Sequence, residues 1–108
     1  MNYELLKKLC ETPSVAGREK RIREFIHNNV KGYFDEIKVD PLGSLICKKF
    51  SKNKKKKKIL LLCHMDEIGF LVSYINPKGY VFVDPVGGFD PRNLFSRRVL
   101  VCTEKEDL

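Results

Sequence analysis

"KKILLLCHMDEIGF", residues Lys57–Phe70, is the stretch on which the reading of this chain turns. Five consecutive apolar residues, Ile59 to Cys63, end abruptly in His64, Asp66 and Glu67. A short strand that is apolar on both faces belongs inside a sheet covered on both sides, commonly by helices. If the chain stays extended past Cys63, His64 and Asp66 share one side and Met65 faces the other. That geometry suits an imidazole that binds a metal through one ring nitrogen and donates the other N–H to a carboxylate. In open α/β sheets the ligand crevice lies beyond the carboxyl ends of the strands, which is where His64 falls. His-x-Asp also arises by chance, and a histidine beside a strand is often a surface or structural residue, so the spacing leaves both readings open. Glu67 points away from Asp66 in an extended chain and reads as a solvated strand-end acid.

Upstream, the pattern is helical. Leu5, Leu6, Leu9 and Cys10 fall on one face of a helix over residues 3–10, with Asn2 as its N-cap. "TPSVAG" breaks it through Pro13 and Gly17. A second helix places Ile22, Phe25, Ile26 and Val30 on one side and Arg18, Lys20, Arg21, Arg23 and Glu24 on the exposed side, and Gly32 ends it. His27, on the polar side beside Asn28 and Asn29, reads as exposed and uninvolved. The period then becomes alternating. "FDEIKVD" and "LICKKF" are strands joined by the turn "DPLGS", Asp40 to Ser44.

Downstream of Ile68 everything reads as strand. "IGFLVSYI" and "YVFVD" form a hairpin around Asn76, Pro77 and Gly79. "PVGGFDP" is a loop, and "RRVLVCT" is a last strand before the charged end "EKEDL". Two helices and three strands thus give way to strand alone near residue 70.

At 108 residues the chain is at most one domain or a piece of a larger one. A compact chain of this size buries about 65% of its unfolded surface. With 43% hydrophobic and 32% charged residues it reads as globular, not disordered. No apolar run approaches the ~20 residues of a membrane span, and "MNYELLKKLCE" does not resemble a signal peptide, so a cytoplasmic protein is expected. Cys10, Cys47, Cys63 and Cys102 form no C-x-x-C pair; each is expected as a small, buried, free thiol. The net charge of +7 is uneven: residues 1–58 hold 16 of the 21 Lys and Arg against 7 acids. Much of the excess lies in "KKFSKNKKKKK", Lys48 to Lys58, which contains one Phe and no Arg. Specific reading of bases wants arginines and aromatics interleaved with lysines, so the tract reads as a solvated turn and no specific nucleic-acid partner is expected.

The segment "HMDEIGFLVSYI" strongly resembles the first metal-ligand segment of the tetrahedral aminopeptidases. These are dinuclear metallopeptidases that include glutamyl aminopeptidases and proteins once called cellulase M. "LLKKLCETPSVAGREKRIREFI" looks like the opening helix, the Pro-Ser-x-x-Gly turn and the second helix of that family. "VDPLGSLI" is similar to its Asp-x-x-Gly-Asn turn, with Ser44 where Asn is commoner. "VGGFDPRNLFSRRVLV" resembles the stretch that opens its smaller domain, with Arg97 where glutamine is frequent.

The resemblance implies an α/β fold: two helices and a mixed sheet forming the N-terminal part of a metallopeptidase catalytic domain, residues 1–69. The first strands of a small β-barrel-like assembly domain follow, residues 70–108. It implies that His64 is a ligand to one of two divalent metals, zinc or cobalt, and that Asp66 is the catalytic-site carboxylate that orients and polarises it. It also implies hydrolysis of N-terminal residues from peptides and dodecameric shells built from dimers.

A two-metal hydrolase needs a bridging carboxylate, further ligands on each ion and a general base, and even one catalytic zinc normally takes three protein ligands. No histidine follows His64. The remaining ligands of the family come from segments beyond residue 108, so the chain is expected to be an N-terminal portion, inactive alone and weak in metal binding. A non-catalytic interaction or assembly module using the Phe70–Val83 hairpin is the alternative. A basic nucleic-acid binder working through Lys52–Lys58 ranks after it.

Overall fold

The computed structural model describes residues 2–53, 57–88 and 90–108, without the side chains at 91 and 93. Lys54, Lys55 and Lys56 of the lysine turn and Phe89 of the Gly-Gly loop lie outside the described residues. The chain forms two compact units, Met1–Asp66 and Glu67–Leu108.

In the first unit, helix α1 spans Tyr3–Glu11. Asn2 caps it, its Oδ1 accepting from the Leu5 N–H at 3.1 Å and satisfying one of the four orphan donors of the first turn. Glu4 near the start and Lys8 near the end suit the helix dipole. Thr12 Oγ1 donates back to the Lys8 carbonyl at 2.6 Å, and Pro13 prevents continuation. The reversal that follows uses Gly17 at φ 79°, its N–H donated to Glu19 Oε1 at 2.6 Å.

Helix α2 spans Lys20–Val30. Ile22, 2% exposed, is the one fully buried large side chain among the described residues. Phe25, Ile26 and Val30 on its side of the helix are half-buried. On α1 only Leu5 and Leu9 of the expected face are half-buried, while Leu6 and Cys10 are exposed. The Lys31 N–H closes α2 on the His27 carbonyl at 3.0 Å, and Gly32 turns the chain away at φ 93°. The His27 side chain is exposed.

Strands β1, Glu36–Val39, and β2, Leu45–Lys48, pair antiparallel with Glu36 opposite Lys48 and Val39 opposite Leu45. The turn between them is held by Asp40: its carbonyl accepts from the Gly43 N–H at 3.0 Å and its Oδ1 from the Ser44 N–H at 2.8 Å. These bonds, the Ser44 N–H first, hold the Asp40 carboxyl below its ordinary pKa. Arg23, expected on the solvent side of α2, is half-buried. Its Nη1 donates to the Gly43 carbonyl at 3.2 Å. The turn thus claims a residue whose helical position alone pointed outward.

The expected third strand is corrected by the structure. Ile59–Cys63 pairs with no strand among the described residues, and its side chains are exposed, Leu61 to 89%. A segment apolar on both faces needs neighbouring strands and a cover on each side, and among the described residues no strand pairs with it.

In the second unit, β3, Gly69–Ile75, and β4, Val81–Val86, form the expected hairpin. Asn76 builds its turn: its Oδ1 accepts from the Lys78 N–H at 3.0 Å and the Tyr80 N–H at 2.9 Å, while Gly79 sits at φ 85°. An irregularity between Val72 and Tyr74 shifts the register. Tyr74 and Phe82 pack across the strands with ring centroids 5.7 Å apart. A single 3-10 turn follows at Pro91–Leu94, started by Asp90, whose carboxylate takes Nε and Nη2 of Arg92. "RRVLVCT" does not extend the β3–β4 sheet. It makes one isolated bridge, Cys102 opposite Asp107, with Val101 and Leu108 exchanging backbone bonds at 2.8 and 2.9 Å.

All four cysteines are free thiols. The expectation that they are buried fails at Cys10, Cys63 and Cys102, which are exposed, while Cys47 is half-buried. An apolar neighbourhood in sequence buries a thiol only where another layer covers it. No helix among the described residues is long and apolar enough to cross a membrane.

Candidate metal-ligand site

His64 and Asp66 close the first unit. His64 Nδ1 lies 3.0 Å from the Asp66 carbonyl oxygen and 3.2 Å from Asp66 Oδ1. A carbonyl and a carboxylate oxygen are both acceptors, so either bond requires the proton on Nδ1. One N–H is then shared between two oxygens of the same residue. In the neutral ring this leaves the Nε2 lone pair as the donor to any ion, and Nε2 has no partner among the described residues. The imidazole is 85% exposed while the Asp66 side chain is 39% exposed: the carboxylate is tucked under and the ring stands out.

Two cavities flank this segment. One, of about 390 Å³, is lined by the Leu42–Ser44 turn, strand β2, the 60–63 run, Glu19 and the His64–Asp66 corner. The other, of about 410 Å³, lies between the apolar sides of α1 and α2, with Ile22 and Phe25 in its wall and Cys63–Asp66 at its edge. Leu42, Gly43 and Ser44 of the Asp40 turn form one wall of the first cavity.

Glu19 was not singled out from the sequence. It follows the Gly17 reversal and sits at the N-terminus of α2, where an acid ordinarily only complements the helix dipole. Its appearance in a cavity with His64 depends on the fold of the reversal. Glu67, at the start of the second unit, is exposed.

The donor set fits one histidine ligand and its orienting carboxylate, and no more. Among the described residues no group of three or more His, Cys, Asp and Glu side chains converges on a point where an ion could sit.

The family model for the M42 glutamyl aminopeptidases matches residues 43–108. The chain is 44% identical over 97 residues to a putative aminopeptidase of Acetivibrio thermocellus, covering 90% of this chain and 28% of that protein. It is 36% identical over 106 residues to the lysyl aminopeptidase of Pyrococcus furiosus, covering 97% of this chain and 30% of that protein. Among solved structures, the dodecameric PhTET1-12s superposes with a TM-score of 0.86 at 40% identity, over 100% of this chain and 32% of its own. The chain therefore spans about three-tenths of the length of these relatives.

Proposed function

The chain belongs to the M42 glutamyl aminopeptidase family, and from that premise we propose that it carries the first metal-ligand segment of a metal-dependent aminopeptidase. His64 is the ligand, through Nε2. Asp66 is the carboxylate that fixes its tautomer and raises its basicity. The observation that carries this reading is the pair of contacts from His64 Nδ1 to Asp66 at 3.0 and 3.2 Å, with the ring itself exposed. A divalent ion, zinc or cobalt, would act there as a Lewis acid toward a peptide carbonyl and lower the pKa of an attacking water.

In this reading residues 1–69 begin the catalytic domain and residues 70–108 begin a smaller assembly domain. The exposed Ile59–Leu62 run is a central strand whose neighbours come from elsewhere in the family-length protein. The substrates are peptides with free N-termini, the protein is cytoplasmic, and it forms a homo-oligomer. The name of the dodecameric PhTET1-12s and the exposed apolar side chains of the β3–β4 hairpin, Leu71, Tyr74 and Phe82 among them, support the last point. Residues 1–108 alone offer one ligand and its orienting partner, too few for a two-metal centre, so the isolated chain is inactive and binds divalent ions weakly.

Nitrogen-detected NMR of the imidazole during a zinc titration tests this. Zinc is expected to move the Nε2 resonance of His64, leave Nδ1 protonated, and bind at least tenfold more weakly in Asp66→Asn. Zinc that shifts Nδ1 instead, or ignores Asp66→Asn, would remove the assignment. A tight stoichiometric site, or turnover of an aminoacyl anilide by the 108-residue chain, would contradict the proposed incompleteness.

A further inference from the structure

Two of the four free thiols open onto one space. Cys10, in the last turn of α1, and Cys63, the residue before His64, both line the cavity of about 410 Å³ beside the apolar sides of α1 and α2. Both are exposed, and both belong to the first unit. The other two thiols are placed differently. Cys47 is half-buried, lines the first cavity, and sits in β2, where the ladder holds it opposite Ile37. Cys102 belongs to the second unit, in the isolated bridge with Asp107.

A disulfide needs its two Cβ atoms about 3.5–4.5 Å apart. The run that carries Cys63 pairs with no strand among the described residues, so no ladder hydrogen bond holds it back from α1. Cys47 lacks that freedom and is less open to an oxidant. Accessible thiols are the ones that oxidise, which selects Cys10 over Cys47 as the partner of Cys63.

We propose that Cys10 and Cys63 form a peroxide-responsive dithiol whose disulfide staples α1 to the segment presenting His64. Hydrogen peroxide is the oxidant. One thiolate attacks a peroxide oxygen: an S–O bond forms, the O–O bond breaks, and the departing hydroxide is protonated to water. The second thiolate attacks the sulfenic sulfur, forming S–S and breaking S–O, and a second water leaves. The two thiols together lose two electrons and two protons, and one peroxide becomes two waters. Glutathione and thioredoxin return such a bond to thiols where they are present, which makes it a reversible signal.

The test treats the 108-residue chain with one equivalent of hydrogen peroxide, followed by intact mass and mapping of non-reduced peptides. The expected product is a monomer lighter by two hydrogens, with the Cys10 and Cys63 peptides linked and released again by reduction. Cys47→Ser should form the same bridge, whereas Cys10→Ser should leave a sulfenic acid at Cys63 that dimedone traps. In urea unfolding followed by far-UV circular dichroism, the bridge should lower the unfolded-to-folded ratio about thirtyfold or more. That gain should persist in Cys47→Ser and disappear in Cys10→Ser. The proposal is overturned by a Cys47–Cys63 bridge in the unsubstituted chain, by bridges only between chains, or by thiols that pass to sulfinic acid without bridging. A bridged chain no harder to unfold than the reduced one overturns it as well. The mass reports the bridge without any metal, so its absence would leave the assignment of His64 standing, and failure of the zinc titration would leave the bridge.

Discussion

Gly32 and Gly43 allow an interaction across the first unit to be isolated from backbone strain. They adopt nearly the same left-handed conformation, φ 93° and φ 92°, and both lie in the first unit. A Cβ added at Gly32 meets nothing within 4 Å, whereas one added at Gly43 lies 3.0 Å from Arg23 Nη1. Gly32→Ala therefore carries only the penalty of an L-residue in the left-handed region, about 1–2 kcal/mol. Gly43→Ala carries that penalty and must also displace the guanidinium, losing the 3.2 Å bond from Arg23 to the Gly43 carbonyl. A hydrogen bond from a charged donor contributes about 1.5–3 kcal/mol net. Partial exposure reduces this to about 1 kcal/mol. The reduced unfolded-state entropy of Gly→Ala is common to both and cancels. Gly43→Ala should thus exceed Gly32→Ala by about 1 kcal/mol in urea unfolding followed by far-UV circular dichroism. In an Arg23→Ala background the difference should vanish, giving a coupling of similar size in the double-mutant cycle. Equal costs for the two glycines, or a cycle that closes with no coupling, would refute the idea that Arg23 ties α2 to the hairpin turn.

Ile22→Ala removes the only fully buried large side chain among the described residues and should cost about 2–4 kcal/mol, enough to abolish the cooperative helix signal on mild heating. Asp35 is held below its ordinary pKa by the Phe50 N–H and Lys49, and Asp40 by the Ser44 N–H. Because these folded-state values are depressed, their stabilisation is present at neutral pH and is lost as pH falls through them, below the ordinary value of 3.8; the urea midpoint should drop there, and less steeply in Asp35→Asn. The exposed run at Ile59–Leu62 should bind a hydrophobic dye strongly, and Leu60→Asp with Leu62→Asp should suppress that fluorescence while leaving the helical ellipticity intact.

What local chemistry encodes was legible in the chain. Asn2 can only cap if a helix starts after it, Pro13 can only stop one, and Gly43 and Gly79 mark turns because the left-handed region excludes most other residues. Both hairpins and both helices follow from such signals together with the 3.6- and 2-residue periods. The nomination of His64 and Asp66 likewise rests on a two-residue spacing at the end of an apolar run. The distances between them, and the outward stance of the ring, are properties of the folded corner.

Partners distant in sequence were not legible. Arg23 sits at an outward helical position, yet it reaches the Gly43 carbonyl twenty residues on, and no periodicity encodes that contact. Glu19 joins the cavity of His64 only because the Gly17 reversal turns it there. The run Ile59–Cys63 states that it should be covered, since apolar surface is driven from water. Whether it is covered depends on which strands and helices pair with and pack over it, and among the described residues no strand pairs with it. Composition and order decide what each segment requires; only the tertiary arrangement decides whether that requirement is met.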